Sequence, residues 1–210
     1  MSARRVVPTR TTPRLVLRAF TASDRAPFAA MNADPVVMEH YPSVLTHEQS
    51  DAYVDRVEST WAQRGLGLWA VEQRSTSAFV GYVGLWPVPR EVHGAIGSGS
   101  AVEVGWRLAA SAWGQGFATE GAREAVRFGF DEVGLAEIVS FTSVGNERSR
   151  AVMRRLGMRH DLAGDFDHPS LPVGHRLRRH VLYRLPAPQA GAFAGSAAHA
   201  TPTSRNPTRS

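Results

Sequence analysis

The stretch AASAWGQGFATEGAREA, at residues 109–125, decides how this chain is interpreted. Its three glycines, Gly114, Gly116 and Gly121, lie between a run typical of a strand and a run typical of a helix. Glycine loses more backbone freedom on folding than any other residue, so this placement needs a physical reason. A helix N-terminus presents unpaired N–H groups and a partial positive charge, and a glycine turn lets a phosphate approach them closely. The stretch therefore fits an anion-binding turn and an ordinary turn equally well.

The spacing of these glycines leaves the phosphate ligand open. A Walker loop requires a lysine, and all 24 basic residues of this chain are arginines. The dinucleotide pattern G-x-G-x-x-G places its third glycine where this chain has Thr119, and Gly121 comes two positions late. An acidic residue that would bind the ribose is also not evident. A nucleotide loop of either type is therefore disfavoured.

Length and composition predict one soluble domain with flexible ends. The chain has 210 residues, of which 43% are hydrophobic and 20% charged. We expect a flexible segment at 1–12, a folded domain at 13–185 and a disordered Pro/Ala/Gly/Ser-rich tail at 186–210. The absence of cysteine excludes disulfides, thiolate metal ligands and a cysteine nucleophile. With no apolar run of about 20 residues and no secretory signal, a cytoplasmic protein without membrane contact is expected.

The net charge of +5 raises the question of an anionic partner. The arginines are mostly scattered, and the densest run, at 175–184, alternates with apolar residues as in an amphipathic strand. A small anionic ligand accounts for this charge as well as nucleic acid does. Nucleic-acid binding is therefore kept only as a weaker alternative.

Hydrophobic periodicity and turn residues predict a mixed α/β or α+β domain on one largely antiparallel sheet. Strands are predicted at 14–18, 68–73, 79–86, 101–108, 137–142 and 180–185. Helices are predicted from Ser23, from Thr46 to Gly65, at 119–132 and at 146–157. Thr46 and Gln49 have the spacing of a capping box, and the prolines and glycines of 87–100 indicate a loop.

Two segments of the chain resemble the GNAT acetyltransferases, and most closely their RimJ/RimL-like branch, the ribosomal-protein Nα-acetyltransferase type. They are VEVGWRLAASAWGQGFATEGAREAVRFGF (102–130) and NERSRAVMRRLGM (146–158). The family's pyrophosphate signature, Q/R-x-x-G-x-G/A, falls on Trp113 to Ala118, with Trp113 departing from the Gln/Arg position. The resemblance spans about 13–185. It implies a central, largely antiparallel, splayed sheet of about six to seven strands with about four flanking helices.

The resemblance also implies acetyl-coenzyme A as co-substrate, with no metal. Its pyrophosphate would meet the glycine turn, and its pantetheine arm would follow the splayed strand at 101–108. Asn146 matches the branch's N-x-x-S motif, and Arg150 is a further candidate for a phosphate contact. The implied coenzyme-binding residues are Val104, Trp106, Leu108, Trp113, Gly114, Gln115, Gly116, Phe117, Ala118, Thr119, Asn146, Ser149 and Arg150.

Acetyl transfer to an amine requires a base for the ammonium proton and sometimes an acid for the departing thiolate. We take Glu103 as the candidate base, because it precedes the splay; an ion pair with Arg107, on the same strand face, or with another arginine is the alternative. Ser149 is the candidate acid, although a coenzyme contact is favoured for it. Tyr183 is the fallback acid, with a structural role as its alternative.

His40, Tyr41 and Trp86 are the candidate substrate-binding residues, and Glu39, Glu48 and Asp51 are weaker candidates that would suit a cationic acceptor. The His and Asp residues of 165–175 do not have metal-site spacing, so a structural or substrate-lining loop is expected there.

The sequence thus predicts an N-acetyltransferase that acts by direct transfer on a primary amine, either a protein N-terminus or a small molecule. A non-catalytic acyl-coenzyme A sensor on the same fold is the alternative. Exposed edge strands would allow a homodimer.

Overall fold

The computed structural model describes residues 6–97 and 102–188. Within them the strands are β1 (Arg10–Thr11), β2 (Leu15–Arg18), β3 (Leu68–Gln73), β4 (Ala78–Pro87), β5 (Val102–Leu108), β6 (Glu137–Ser143), β7 (Arg159–His160), β8 (Phe166–Asp167) and β9 (Arg179–Pro186). The α-helices are α1 (Arg25–Ala33), α2 (His47–Arg64), α3 (Arg90–Ile96), α4 (Phe117–Asp131) and α5 (Glu147–Arg155). Most of the predicted tail, from residue 189 onward, lies outside the described residues.

All of these strands form one sheet. Its order is β1-β2-β3-β4-β5-β6-β9-β7, with β8 also paired to β9. Every pairing is antiparallel except that of β5 with β6, which is parallel. The predicted α+β class and the largely antiparallel sheet are confirmed. The described chain exceeds the expected number of strands because β1, β7 and β8 are two-residue strands, which are too short to show periodicity.

The sheet opens between β5 and β6. Strand β5 pairs with β4 along its whole length, from Gly81↔Leu108 to Pro87↔Val102. On its other side, the pairing among the described residues is limited to Glu103↔Val139. Beyond Glu103 the two strands diverge, so the edge of β5 at 104–108 is free to bind a ligand. This is the splay that the family resemblance implies.

Helix α2 begins and ends where its sequence predicts. The Gln49 N–H donates to Thr46 Oγ1 at 3.2 Å, and the Thr46 N–H donates to Gln49 Oε1 at 2.9 Å, which makes the capping box. Gly65 ends the helix with φ 69°. Val54 and Trp61 are buried in the core, whereas Tyr53, one position before Val54, is half-buried against a cavity.

Two segments predicted as irregular have regular structure. Helix α3 occupies part of the predicted loop 87–100, because Val92 and Ile96, four residues apart, bury one helix face against Leu182 and its neighbours. The segment 1–12 was expected to be flexible, yet Arg10–Thr11 pairs with β2. Trp69 Nε1–H also donates to the Pro8 carbonyl at 2.8 Å. In both segments the described regular structure depends on contacts with residues distant in sequence.

Helix α4 lies on the sheet at close range, and Gly121 allows this. A Cβ placed on Gly121 would lie 2.9 Å from Val83 Cγ1, which is too close for van der Waals contact. Ala122 and Ala125 on the same helix are fully buried. Gly121 therefore serves helix–sheet packing, whereas Gly114 and Gly116 precede the helix.

Candidate active site

The glycine turn forms an open cradle at the start of α4. Gly114 and Gly116 have φ angles of 74° and 79°, in the left-handed region that favours glycine. A Cβ on Gly114 would meet no atom within 4 Å, and one on Gly116 would meet only Arg14 Nη2, at 3.4 Å. The N–H groups of 116–119 donate to no acceptor among the described residues. Bare N–H groups next to open space fit a phosphate, so the cradle is suited to the pyrophosphate of coenzyme A.

Two arginines outside the turn hold it in place. Arg14 Nη1 donates to the Gln115 carbonyl at 2.8 Å, and its guanidinium also pairs with Glu120 at 2.6 Å. Arg148 lies over the ring of Trp113 at 4.6 Å, and Trp113 Nε1–H donates to the Leu108 carbonyl at 2.8 Å. Trp113, which departs from the family signature, therefore connects β5, the turn and α5.

A groove of about 1290 Å³ runs along the turn, and we call it the coenzyme groove. Most of the coenzyme residues implied by the resemblance line it: Trp106, Leu108, Trp113, Gly114, Gln115, Gly116, Phe117, Ala118, Thr119, Asn146 and Ser149. Arginines that the sequence analysis missed also line it: Arg14, Arg123, Arg127, Arg148 and Arg155. Arg123 and Arg127 are four residues apart on α4, and Arg148 and Arg155 are seven apart on α5; both spacings place the pair on one face of its helix.

Two of the implied coenzyme residues lie elsewhere. Val104 lines the neighbouring cavity instead of the groove. Arg150 lines neither, because its guanidinium turns back to the Val144 carbonyl at 3.1 Å and to the Glu147 carboxylate. Arg148, two positions earlier on α5, occupies the groove instead.

A second cavity, of about 810 Å³, lies on the α1/α2 side of β4 and β5, and we call it the acceptor cavity. The three predicted substrate residues, His40, Tyr41 and Trp86, all line it. Six residues line both the groove and this cavity: His40, Tyr41, Trp106, Arg107, Asn146 and Ser149. The two spaces therefore meet at a junction, which is where a group would pass from one ligand to the other.

Glu103 faces the acceptor cavity without a partner. No side chain or backbone group among the described residues donates a hydrogen bond to its half-buried carboxylate. Burial raises the pKa of Glu103 to about 8. The alternative of an ion pair with Arg107 is not supported, because no described contact joins the two side chains and burial is the cause of the pKa shift of Glu103. Arg107 Nη1 donates to Asn32 Oδ1 at 2.6 Å. A carboxylate that titrates near neutrality is suited to accept a proton.

The raised pKa of Glu103 predicts a pH-dependent stability cost. Between its ordinary value of 4.5 and about 8, the folded protein must hold a proton that the unfolded chain has released, so folding loses free energy as pH rises. Glu103→Gln removes this loss of folding free energy, because glutamine does not ionise. We expect equal melting temperatures for wild type and variant at pH 4.5, and a variant about 5 °C more stable at pH 9 by calorimetry. A difference in melting temperature between wild type and variant that stays constant with pH would contradict the raised pKa of Glu103.

Ser149 and Asn146 meet at the N-terminus of α5. Asn146 Oδ1 accepts from the Ser149 N–H at 3.1 Å, and Asn146 Nδ2 donates to Thr142 Oγ1 at 2.9 Å. Asn146 is therefore the helix cap, as predicted. The Ser149 hydroxyl has no hydrogen-bond partner among the described residues and lies at the junction.

Tyr183 is not part of the site. It is only 3% exposed, stacks on His160 at 4.8 Å and lines neither the groove nor the cavity. Its place on β9, beyond β6 and away from the splay, explains this. These contacts support the structural alternative for Tyr183 instead of the fallback assignment as acid.

The acidic residues expected near a cationic acceptor also lie elsewhere. Asp51 pairs with Arg25 at 3.3 Å, and neither Glu39 nor Glu48 lines the acceptor cavity. In the loop at 165–175, Asp165 hydrogen-bonds His160 at 2.8 Å, whereas His168 lines the cavity. Across 6–97 and 102–188, no three His, Asp or Glu side chains come together as metal ligands.

Membrane insertion finds no support in the described helices, since none of them combines the length and apolar character required to cross a bilayer.

Comparison with known protein families agrees with this geometry. The family model described as an acetyltransferase (GNAT) domain matches residues 14–159. The chain belongs to the GNAT family. It is therefore an acyltransferase, built on the GNAT fold, and the glycine turn and the splay lie within the matched region.

Two curated relatives extend the comparison. A protein of Bacillus subtilis, YkkB, is 30% identical over 153 residues, which are 70% of this chain and 83% of YkkB. The FsC-acetyl coenzyme A-N(2)-transacetylase of Aspergillus fumigatus is 42% identical over 96 residues, which are 46% of this chain and 40% of that enzyme. The match to the second relative thus covers less than half of each protein.

Solved structures share the fold at low sequence identity. A GNAT-family acetyltransferase from Bacillus anthracis superposes with a TM-score of 0.69 at 23% identity, covering 85% of this chain and 98% of that one. The ribosomal L7/L12 acetyltransferase RimL, solved with coenzyme A, superposes with a TM-score of 0.64 at 18% identity, covering 87% and 98%. At these identities the likeness supports the GNAT fold, but not the RimJ/RimL branch.

Proposed function

We propose that this GNAT enzyme transfers an acetyl group from acetyl-coenzyme A directly to a primary amine. The observation that carries the proposal is the unpartnered carboxylate of Glu103, which lies in a cavity that meets the coenzyme groove. The names of RimL's bound ligand and of the Aspergillus transacetylase support coenzyme A as the donor. The absence of cysteine favours direct transfer over a cysteine acyl-enzyme.

The residues that would hold the coenzyme are those of the groove. The N–H groups of 116–119 and the arginines Arg14, Arg123 and Arg148 supply positive charge for its phosphates. The unpaired edge of β5 at 104–108 supplies backbone groups for the pantetheine arm. Acetyl-coenzyme A, when bound, supplies the acetyl group as a thioester.

The acceptor must reach the junction as a neutral amine. Glu103 accepts the ammonium proton, directly or through a water molecule, and its pKa of about 8 makes it a base matched to neutral pH. The Ser149 hydroxyl, which has no hydrogen-bond partner among the described residues, donates a hydrogen bond or a proton on the coenzyme side. Ser149 thus lies at the junction itself, and Glu103 lies in the acceptor cavity that opens onto it.

Replacing Ser149 with alanine tests this role. If the hydroxyl donates a proton, kcat is expected to fall by about 10- to 100-fold with little change in the KM for acetyl-coenzyme A. The matched control is Tyr183→Phe, which removes a hydroxyl outside the site and is expected to keep kcat within about twofold. A raised KM with unchanged kcat for Ser149→Ala would instead assign the hydroxyl to coenzyme binding alone.

The proposed function is tested by thiol release from acetyl-coenzyme A in the presence of a panel of amines. The panel comprises free amino acids, their C-terminal amides, polyamines and short peptides with free N-termini. Amine-dependent thiol release is the expected result. Tight coenzyme binding by calorimetry, with no release for any amine, would favour the non-catalytic sensor instead.

A further inference from the structure

Arg107 is a buried cation at the junction. It lies on β5, is only 6% exposed, and lines both the coenzyme groove and the acceptor cavity. No role assigned so far involves the charge of Arg107, because the proton transfer depends on Glu103 and the phosphate cradle consists of other residues.

The contacts of Arg107 leave its charge without a counter-ion. Nη1 donates to Asn32 Oδ1 at 2.6 Å, and the guanidinium carbon lies 3.9 Å from the ring centre of Tyr41 and 5.4 Å from that of Tyr82. Tyr41 also forms a side-chain hydrogen bond with Arg107, whereas the buried Nε has no hydrogen-bond partner among the described residues. No carboxylate among those residues forms an ion pair with Arg107. Buried charges are normally paired, so this guanidinium has an unused capacity to bind an anion.

The position of Arg107 relative to Glu103 places that anion near the reacting amine. Alternate residues of a strand share one face, so Glu103, Gly105 and Arg107 all face the acceptor cavity. A Cβ on Gly105 would meet no atom within 4 Å, so the space above it is open. At about 3.3 Å per residue, Glu103 and Arg107 each lie about 7 Å from Gly105 along the strand. An acceptor above Gly105 therefore lies between a base and a cation.

The remaining charges of the acceptor cavity also favour an anion. Glu103 is the single carboxylate among the described residues that line it, whereas Arg56 adds a second guanidinium, which lies over the Tyr53 ring at 5.3 Å. His168 and His180 are neutral at pH 7, since burial lowers the pKa of both, to about 4 for His180. The lining is thus cationic, which opposes polyamines.

We propose that Arg107 binds a carboxylate of the acceptor, so that the acceptor is an amine with a carboxylate a few bonds away, such as a free amino acid. The proposal rests on the proposed function and narrows its acceptor class. The guanidinium fork matches a carboxylate with two parallel hydrogen bonds. A peptide or protein N-terminus, which carries an amide in place of that carboxylate, would leave Arg107 unpaired.

The test compares free amino acids with their C-terminal amides. Wild type is expected to show kcat/KM for the best amino acid about 100-fold above that for its amide. Arg107→Met, which keeps the length of the side chain, is expected to lose about 100-fold with the acid and less than about threefold with the amide. Arg107→Lys keeps the charge without the fork and should retain part of the preference.

A structural role for Arg107 would lower both activities equally and would weaken coenzyme A binding, which calorimetry measures in each variant. Equal loss with acid and amide, or a wild type that prefers amides, would overturn the proposal. Calorimetry with an N-acetyl amino acid and its amide measures the same preference without turnover. If no amine causes thiol release from acetyl-coenzyme A, the proposed function is wrong. If amines are acetylated but the wild type does not prefer those with a carboxylate, only this inference is wrong.

Discussion

Replacing Glu103 with glutamine is expected to lower kcat/KM by about 100- to 1000-fold at pH 7 for every amine that the enzyme accepts. Glutamine keeps the size of the side chain and its place in the acceptor cavity, but it cannot take the ammonium proton. The matched control is Glu58→Gln, at an exposed position of α2 that lines neither cavity. The control is expected to leave kcat/KM unchanged.

The dependence of kcat/KM on pH tests this assignment most directly. Glu103 acts as a base only when ionised, and its pKa is raised by burial to about 8. Wild-type kcat/KM is therefore expected to rise with pH up to about 8 and then to level. In Glu103→Gln this rise of kcat/KM with pH is lost, and any rise that remains follows the pKa of the acceptor amine. A variant with wild-type activity across pH 6–9 would show that Glu103 is not the base.

The second large effect is expected at the glycine turn. In Gly116→Val the side chain would occupy the open space over the N–H groups of 116–119, and the backbone, with φ 79°, would be strained. We expect the affinity for coenzyme A, measured by calorimetry, to fall by about 100-fold or more.

A matched control separates lost binding from backbone strain. Gly134 has φ 76°, a Cβ placed on it would meet no atom within 4 Å, and it lies outside the coenzyme groove. Gly134→Val should therefore cost similar stability, about 1–3 kcal/mol, without loss of coenzyme affinity. Equal losses of affinity in both variants would assign the effect to strain. Unchanged affinity in Gly116→Val would remove the cradle from the coenzyme site.

The elements that the sequence predicted correctly depend on neighbours close in the chain. The capping box of Thr46 and Gln49 and the Asn146 cap of α5 each join residues three positions apart. The glycine turn is equally local, because a left-handed φ depends on the residue itself. Such features are set by spacing, so the sequence alone suffices to predict them.

Side-chain direction was the point at which prediction from sequence failed. Arg148 and Arg150 are two positions apart on α5, and only Arg148 lines the coenzyme groove. Tyr183 has the chemistry of a proton donor, but β9 places it in the core next to His160. Helix α3 and the strand β1 form only because distant residues bury or pair with them. Residue type and hydrophobic periodicity do not specify which way a side chain points or which distant segment packs against it.

The sequence by itself therefore predicted the order of the longer elements, the glycine turn before α4 and the place of Glu103 on β5. Only the tertiary structure decided that no described residue hydrogen-bonds the Glu103 carboxylate. Arg107 donates to Asn32, which lies 75 positions away on α1. The burial that raises the pKa of Glu103 and the unpaired charge of Arg107 both come from packing between elements. The spacing of residues along the chain cannot specify such packing, because packing brings together residues that can be any distance apart in the sequence.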